Sequence, residues 1–282
     1  MPLVDTVTMM TAVRARGGCV GAFNVVDFLS IEAVVAASER SGCPAIIQAS
    51  SGTLKAFGVP CLTKMVKLAA ERSTHPLALH LDHGTDPNII REAVRCGFNS
   101  VMIDASSFPI DENVRRTKEI VDYAHDYGVT VEGEIGVVAG VEDDVVVNED
   151  AAIYTTPAEA LDFLARTGVD FLAAAIGTAH GFYKSKPRLN IQTLRDLYAR
   201  TSCPLVVHGG TGLDRDTVAE LVRAGASKFN VSTQIKIDYI DSLYKYIDEH
   251  RTEYNILKVL ARAKSDLVDM LADYMTLLSK GE

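Results

Sequence analysis

The chain reads as an α/β protein, a (β/α)8 (TIM) barrel with one additional helix at the C-terminal end, forming one domain over residues 1–282. Three observations predict this. Short apolar runs alternate with longer segments of helical period, eight times in succession. The length of 282 residues suits such a barrel, which needs about 250. Polar and titratable residues gather where several apolar runs end, the rim on which barrels place their chemistry.

The strands are expected at Val20–Asn24, Ala45–Ala49, Leu77–Leu81, Ser100–Asp104, Val129–Glu134, Phe171–Ile176, Leu205–Val207 and Lys228–Val231. Helices are expected at Ser30–Ser41, Pro60–Arg72, Asn88–Cys96, Asp111–Tyr127, Pro157–Thr167, Ile191–Arg200, Asp214–Ala224 and Ile235–His250. Strands separated by helices pair in parallel through right-handed crossovers, and eight such units favour closure. Ile256–Leu278 is the extra helix, packed on the barrel or on another subunit. The one long connection, Val137–Thr156, carries Glu142-Asp143-Asp144 and Glu149-Asp150. It reads equally as a lid or as a solvated acidic loop.

The hydrophobic fraction of 48% supports a large core, and the net charge of −9 argues against a nucleic-acid surface. No apolar run reaches the roughly 18 residues of a membrane span, and no signal peptide is read at the N-terminus. A cytoplasmic location is therefore expected. The five cysteines lack CxxC spacing and read as reduced thiols rather than a zinc-cysteine site.

The chemistry centres on His80-Leu81-Asp82-His83-Gly84. Two further apolar runs end in Gly177-Thr178-Ala179-His180-Gly181 and His208-Gly209-Gly210-Thr211-Gly212. His83, His180 and His208 supply three imidazoles from three strand ends, the ligand count of a catalytic zinc. His80 competes with His83, because strand alternation points His80 to the same face as Asp82 and His83 to the other. Asn24, Ser50, Asp104, Ser106, Glu132 and Glu134 also sit at strand ends. The glycines at 209–212 and Asn230-Val231-Ser232-Thr233 follow the last two strands, the usual phosphate position of a barrel. Asp82, beside a proposed ligand, reads as an acid/base or a support for the metal. A Schiff-base mechanism is disfavoured: the sixth strand has no lysine, and Lys228 is expected at the start of its strand, away from the active face.

Taken in order, HLDHG at 80–84, VEGEIG at 131–136 with Glu142-Asp143 following, GTAHG at 177–181, HGGTG at 208–212 and NVST at 230–233 resemble the class II ketose-bisphosphate aldolases. The resemblance runs from about Gly21 to Thr233. It implies zinc on His83, His180 and His208, one catalytic ion per subunit, with Asp104 and Glu134 as nearby carboxylates able to hold it transiently. It implies dihydroxyacetone phosphate bound through Gly181, Gly209, Gly210, Thr211, Asn230, Val231, Ser232 and Thr233, with Na+ or K+ assisting. Asp82 matches the residue handling the C4 hydroxyl proton, and Glu142 a loop acid that deprotonates the donor. Asn24 and Ser50 are further substrate-binding candidates. The family's C-terminal arginine, which reaches the second phosphate, has its nearest counterpart in Arg262.

The resulting expectation is reversible cleavage of fructose or tagatose 1,6-bisphosphate, with a homodimer or homotetramer as the assembly. Two alternatives stand beside it: an aldolase for another phosphorylated ketose lacking the usual distal phosphate, and a non-catalytic aldolase-like subunit that stabilises a partner enzyme.

Overall fold

The computed structural model describes residues 3–142, 145–147, 153–181 and 187–280. Eight parallel strands close into a barrel. In chain order the strands are β1 (Val20–Asn24), β2 (Ala45–Ser50), β3 (Leu77–Gly84), β4 (Ser100–Ile103), β5 (Thr130–Ile135), β6 (Ala139–Glu142), β7 (Val145–Val147), β8 (Phe171–Ala174), β9 (Ala179–His180), β10 (Leu205–Val207) and β11 (Ala226–Val231). The barrel runs β1-β11-β10-β8-β5-β4-β3-β2, and β7-β6-β9 form a small separate sheet over its C-terminal rim. All eight expected barrel strands are present.

The helices are α1 (Thr6–Arg14), α2 (Phe28–Ser41), α3 (Ser51–Phe57), α4 (Val59–Ala70), α5 (Pro87–Cys96), α6 (Ile110–His125), α7 (Pro157–Thr167), α8 (Ile191–Arg200), α9 (Arg215–Arg223), α10 (Thr233–Glu249) and α11 (Ile256–Lys280). Their starts follow local chemistry. Asp27 and Ser30 form a reciprocal capping box on α2, and Thr156 and Glu159 form one on α7 with Pro157 in the first turn. Gly42, Gly97 and Gly168 end α2, α5 and α7 in the left-handed conformation.

Two apolar regions hold the molecule. The larger lies between the strands and the surrounding helices. The smaller fills the lower barrel, where Met9, Met10 and Val13 of α1 plug the N-terminal mouth against Ile46, Ala78, Phe171 and Val206. Arg14 fastens this plug: its guanidinium lies 4.2 Å from the Tyr198 ring centroid and donates to the carbonyls of Ser202 and Cys203. At the other end of the chain, α11 reaches back to the first strand, where the Cys19 amide donates to the Leu278 carbonyl. Among the described residues, no helix is long and apolar enough to cross a membrane.

The long connection is partly structured. β6 pairs antiparallel with β7 and parallel with β9, placing Gly140 opposite His180. Gly140 has φ +111°, and a Cβ there would overlap the His180 backbone. Asp143, Asp144, Glu149 and Asp150 lie outside the described residues.

Candidate active site

The site sits on the C-terminal rim, where each side chain arrives from a different strand. β3 delivers two residues by a backbone irregularity. Its register against β4 shifts between Leu81 and Gly84, and His83 takes φ +46°. This bulge resolves the competition between His80 and His83. Alternation alone would point His83 outwards, but the bulge turns it back to the rim. His80 faces the interior one layer lower, its Nδ1 2.9 Å from Ser100 Oγ.

His83 (β3), His180 (β9) and His208 (at the end of β10) offer ligand atoms that all lie within 4.8 Å of one another. Two rings are held from behind. His83 Nδ1 lies 2.9 Å from Asp104 Oδ2, and His208 Nε2 lies 2.6 Å from Glu132 Oε1. With those carboxylates behind them, the rings turn their other nitrogens, His83 Nε2 and His208 Nδ1, towards one another at 2.8 Å. At that distance the two nitrogens need a cation between them, either a proton or a metal ion. Imidazoles backed by carboxylates are the ordinary arrangement of a metal centre, so this donor set fits a divalent ion.

The surrounding carboxylates are split by environment. Burial would raise Asp104, but the hydrogen bond and charge of His83, with further bonds from Ser106, hold it well below its usual range. Burial would also raise Glu132, yet the Lys228 ammonium and the His208 hydrogen bond keep it ionised. Glu134 goes the other way, pushed well up by burial and by the Asp104 charge. With His83 and Asp104 it forms a second cluster able to hold a cation, and its Oε2 is buried without a partner among the described residues. Burial also depresses His208, favouring the neutral ring. A cavity of about 160 Å³ opens over His83, Asp104, Ser106, Glu134, Gly140 and His180.

Beside the histidines, Asp82 is fully buried and held by three amides. Asn24 Nδ2 donates to Oδ2 at 2.8 Å, Gln48 Nε2 reaches the same oxygen at 3.3 Å, and Asn230 Nδ2 donates to Oδ1 at 3.1 Å. Gln48 also donates to Asn24 Oδ1 at 2.6 Å. Donors on both oxygens fix the carboxylate plane. Gln48 is absent from the sequence reading, although a glutamine interrupting Ala45-Ile46-Ile47 two residues before Ser50 is a legible signal for an inward polar group.

The glycine turn at 209–212 packs against the strand carrying His180. Gly209 has φ +68°, and a side chain there would overlap the Ala179 backbone. Next to it α10 begins at Thr233 with no side-chain cap, and Ser232 Oγ is buried without a partner among the described residues. Thr211 Oγ1 accepts from the Gln234 amide at 3.3 Å. An uncapped helix start with adjacent hydroxyls and glycines suits an anion.

Other expected residues lie elsewhere or do other work. Ser50 caps α3, accepting from the Thr53 amide. Arg262 stands on the outer face of α11, donating to Asp266 at 2.9 Å, and its contacts run along that helix rather than to the strand ends. Glu142 ends β6, and its side chain is not among those described. Lys228 requires a correction. It was expected at the start of its strand, facing away from the chemistry. β11 begins two residues earlier, at Ala226, and Lys228 projects into the barrel, fully buried, with Nζ 2.9 Å from Glu132 Oε2. A lysine sealed there cannot meet a ketone.

Residues 4–282 match the family model for fructose-bisphosphate aldolase class-II. The chain belongs to this family. The YdjI aldolase from Escherichia coli K12 is 29% identical, with a TM-score of 0.86 over 98% of this chain and 97% of that one. A putative fructose-1,6-bisphosphate aldolase from Coccidioides immitis is 27% identical, with a TM-score of 0.90 over 98% and 96%. The fructose-bisphosphate aldolase from Campylobacter jejuni, 22% identical with a TM-score of 0.84 over 99% and 96%, shares the fold. As a class II aldolase the protein is a carbon–carbon lyase of a metal-dependent family, and the histidine cluster is where its metal would sit.

Proposed function

We propose that the protein reversibly cleaves a phosphorylated ketose, fructose or tagatose 1,6-bisphosphate, to dihydroxyacetone phosphate and an aldehyde such as glyceraldehyde 3-phosphate. The observation that carries this is the meeting of His83, His180 and His208 beside a buried carboxylate, Asp82, whose two oxygens are both held by amides. Zinc is the metal proposed, because three imidazoles with one open position suit it. Bound there, it would supply Lewis acidity towards the ketose carbonyl.

The protein's own residues do the rest. Asp82 accepts the C4 hydroxyl proton as the C3–C4 bond breaks, and returns it to the aldehyde oxygen in the synthetic direction. Asn24, Gln48 and Asn230 keep that carboxylate aimed. Gly181, Gly209, Gly210, Thr211, Val231, Ser232 and Thr233 hold the donor phosphate, with Na+ or K+ beside it, at the uncapped start of α10. Glu142 would exchange the donor-carbon proton from the end of β6. Arg262 contributes to the distal phosphate only if α11 surrenders its Asp266 contact. That geometry favours a second reading, in which the ketose lacks a distal phosphate. The protein would act in the cytoplasm, as a dimer or tetramer.

The deciding experiment is cleavage of both bisphosphates, followed through triose phosphate, before and after chelation and zinc restoration. Activity that is lost with the metal and recovered with zinc supports the reading, and the ratio of rates names the epimer. A zinc-loaded protein inert towards both moves the substrate to a ketose 1-phosphate without the second phosphate.

A further inference from the structure

Beneath the histidines lies a buried charged group that this chemistry does not use. Glu132 from β5 stands between two barrel strands. Its Oε1 accepts from His208 Nε2 at 2.6 Å, and its Oε2 accepts from Lys228 Nζ at 2.9 Å. His80 Nε2 stands 3.4 Å from Oε2, too poorly directed for more than an electrostatic contact. All four side chains are buried. A buried ion pair adds little net stability over apolar groups of the same volume, so stability alone does not account for Lys228.

The barrel order shows what the pair can do. β5 and β11 are separated by β8 and β10, so the Glu132–Lys228 bridge crosses the interior under the strand that ends in His208. We propose that Lys228 is a positioning residue for the metal centre. By holding one oxygen of Glu132, it leaves the other aimed at His208 Nε2. This fixes the His208 ring with its hydrogen on Nε2 and its Nδ1 lone pair towards His83 Nε2 before any ion arrives. The inference rests on the reading of His83, His180 and His208 as ligands. An imidazole whose far nitrogen is engaged by a fixed carboxylate is both oriented and a stronger donor, and loss of such a support weakens metal binding about 10–100-fold.

The test compares Lys228→Met, Lys228→Arg and Met10→Ala with the parent protein. Met10→Ala loosens the same barrel from below, within the apolar cluster at its N-terminal mouth. Zinc affinity is read by competition with a chromophoric chelator, ligand geometry by the visible spectrum of the cobalt form, and folding by thermal melting. Lys228→Met should bind zinc about 10–100-fold more weakly with an altered cobalt spectrum. Lys228→Arg should recover part of the affinity, and Met10→Ala should melt earlier at parental affinity. A folded Lys228→Met with parental affinity, or an equal loss in Met10→Ala, overturns the proposal. Should Lys228→Met fail to fold, the ¹⁵N imidazole signals of the metal-free parent decide: hydrogen on His208 Nε2 supports the proposal, and hydrogen on Nδ1 overturns it. A parent protein that binds no zinc overturns the ligand reading itself, whereas tight zinc with an indifferent Lys228 overturns only this role.

Discussion

Asp82 is the residue on which the chemistry turns, and its surroundings set the size of the effect. Asp82→Ala removes the proton acceptor but none of the three histidines. Zinc should stay bound while turnover falls roughly 10²–10⁴-fold, the usual worth of a positioned acid/base; turnover near the parent's value would strip Asp82 of the role. His208→Ala should instead lose zinc and activity together, as metal analysis of the purified variant would show. His80 makes a separate prediction. Burial first, and the Lys228 charge second, bring its pKa down to about 4. The folded protein therefore resists taking a proton that the unfolded chain accepts near 6.5. This contribution, roughly 3 kcal/mol at full strength, is present above pH 6.5 and is lost as the pH falls towards 4. Melting curves across that window should show a steeper acid loss in the parent than in His80→Gln. The histidines, Asp82 and the glycine turn were legible because polar groups at the ends of apolar strands have few bland explanations. Gln48 was legible on the same ground, as a polar break in an apolar strand, whereas the role of Lys228 was not, since it depends on which strands face each other across the interior.

At the scale of elements, the eight barrel strands follow from the alternation of periods, and the helices follow with them. Two helices escaped that reading. α1 is rich in β-branched residues, Thr6-Val7-Thr8 and Val13, whose weak helix preference gives no periodic signal. It forms because Met9, Met10 and Val13 enter the barrel mouth and Asp5 caps its start. α3 looks like a loop, with Ser51-Gly52-Thr53 at its head, and is held by the Ser50 cap. The plug's weight can be measured. Met10→Ala should cost about 2–5 kcal/mol in urea unfolding; a loss under 1 kcal/mol would mean that α1 merely rests on the barrel. The small sheet β7-β6-β9 was invisible for another reason: it depends on Gly140 lying flat against the His180 strand, a contact between segments distant in sequence. Gly140→Ala should raise hydrogen exchange at residues 139–142 while leaving the barrel amides protected.

For the molecule as a whole, an ion held only by the folded state adds its binding free energy to stability. Zinc at about 100 times its dissociation constant is worth roughly 2.7 kcal/mol, so chelation should lower the melting temperature by at least about 5 °C. An unchanged melting point would mean that no metal had been bound. The closure of the barrel carries a different consequence, one for synthesis. α2 shelters its apolar face, Ile31, Val34, Val35 and Ala37, in the core that also takes Leu267, Leu271 and Met275 of α11. β1, meanwhile, waits for β11 and for the carbonyl of Leu278. At about 5–20 residues per second, a ribosome needs roughly ten seconds or more between making the first of these partners and the last. The nascent chain emerges with the edge of β1 and one side of α2 unclaimed for that whole interval. That surface is open to other chains until α11 is made, so a chain truncated before α11 should aggregate rather than fold into a smaller enzyme, as sedimentation of the fragment would show.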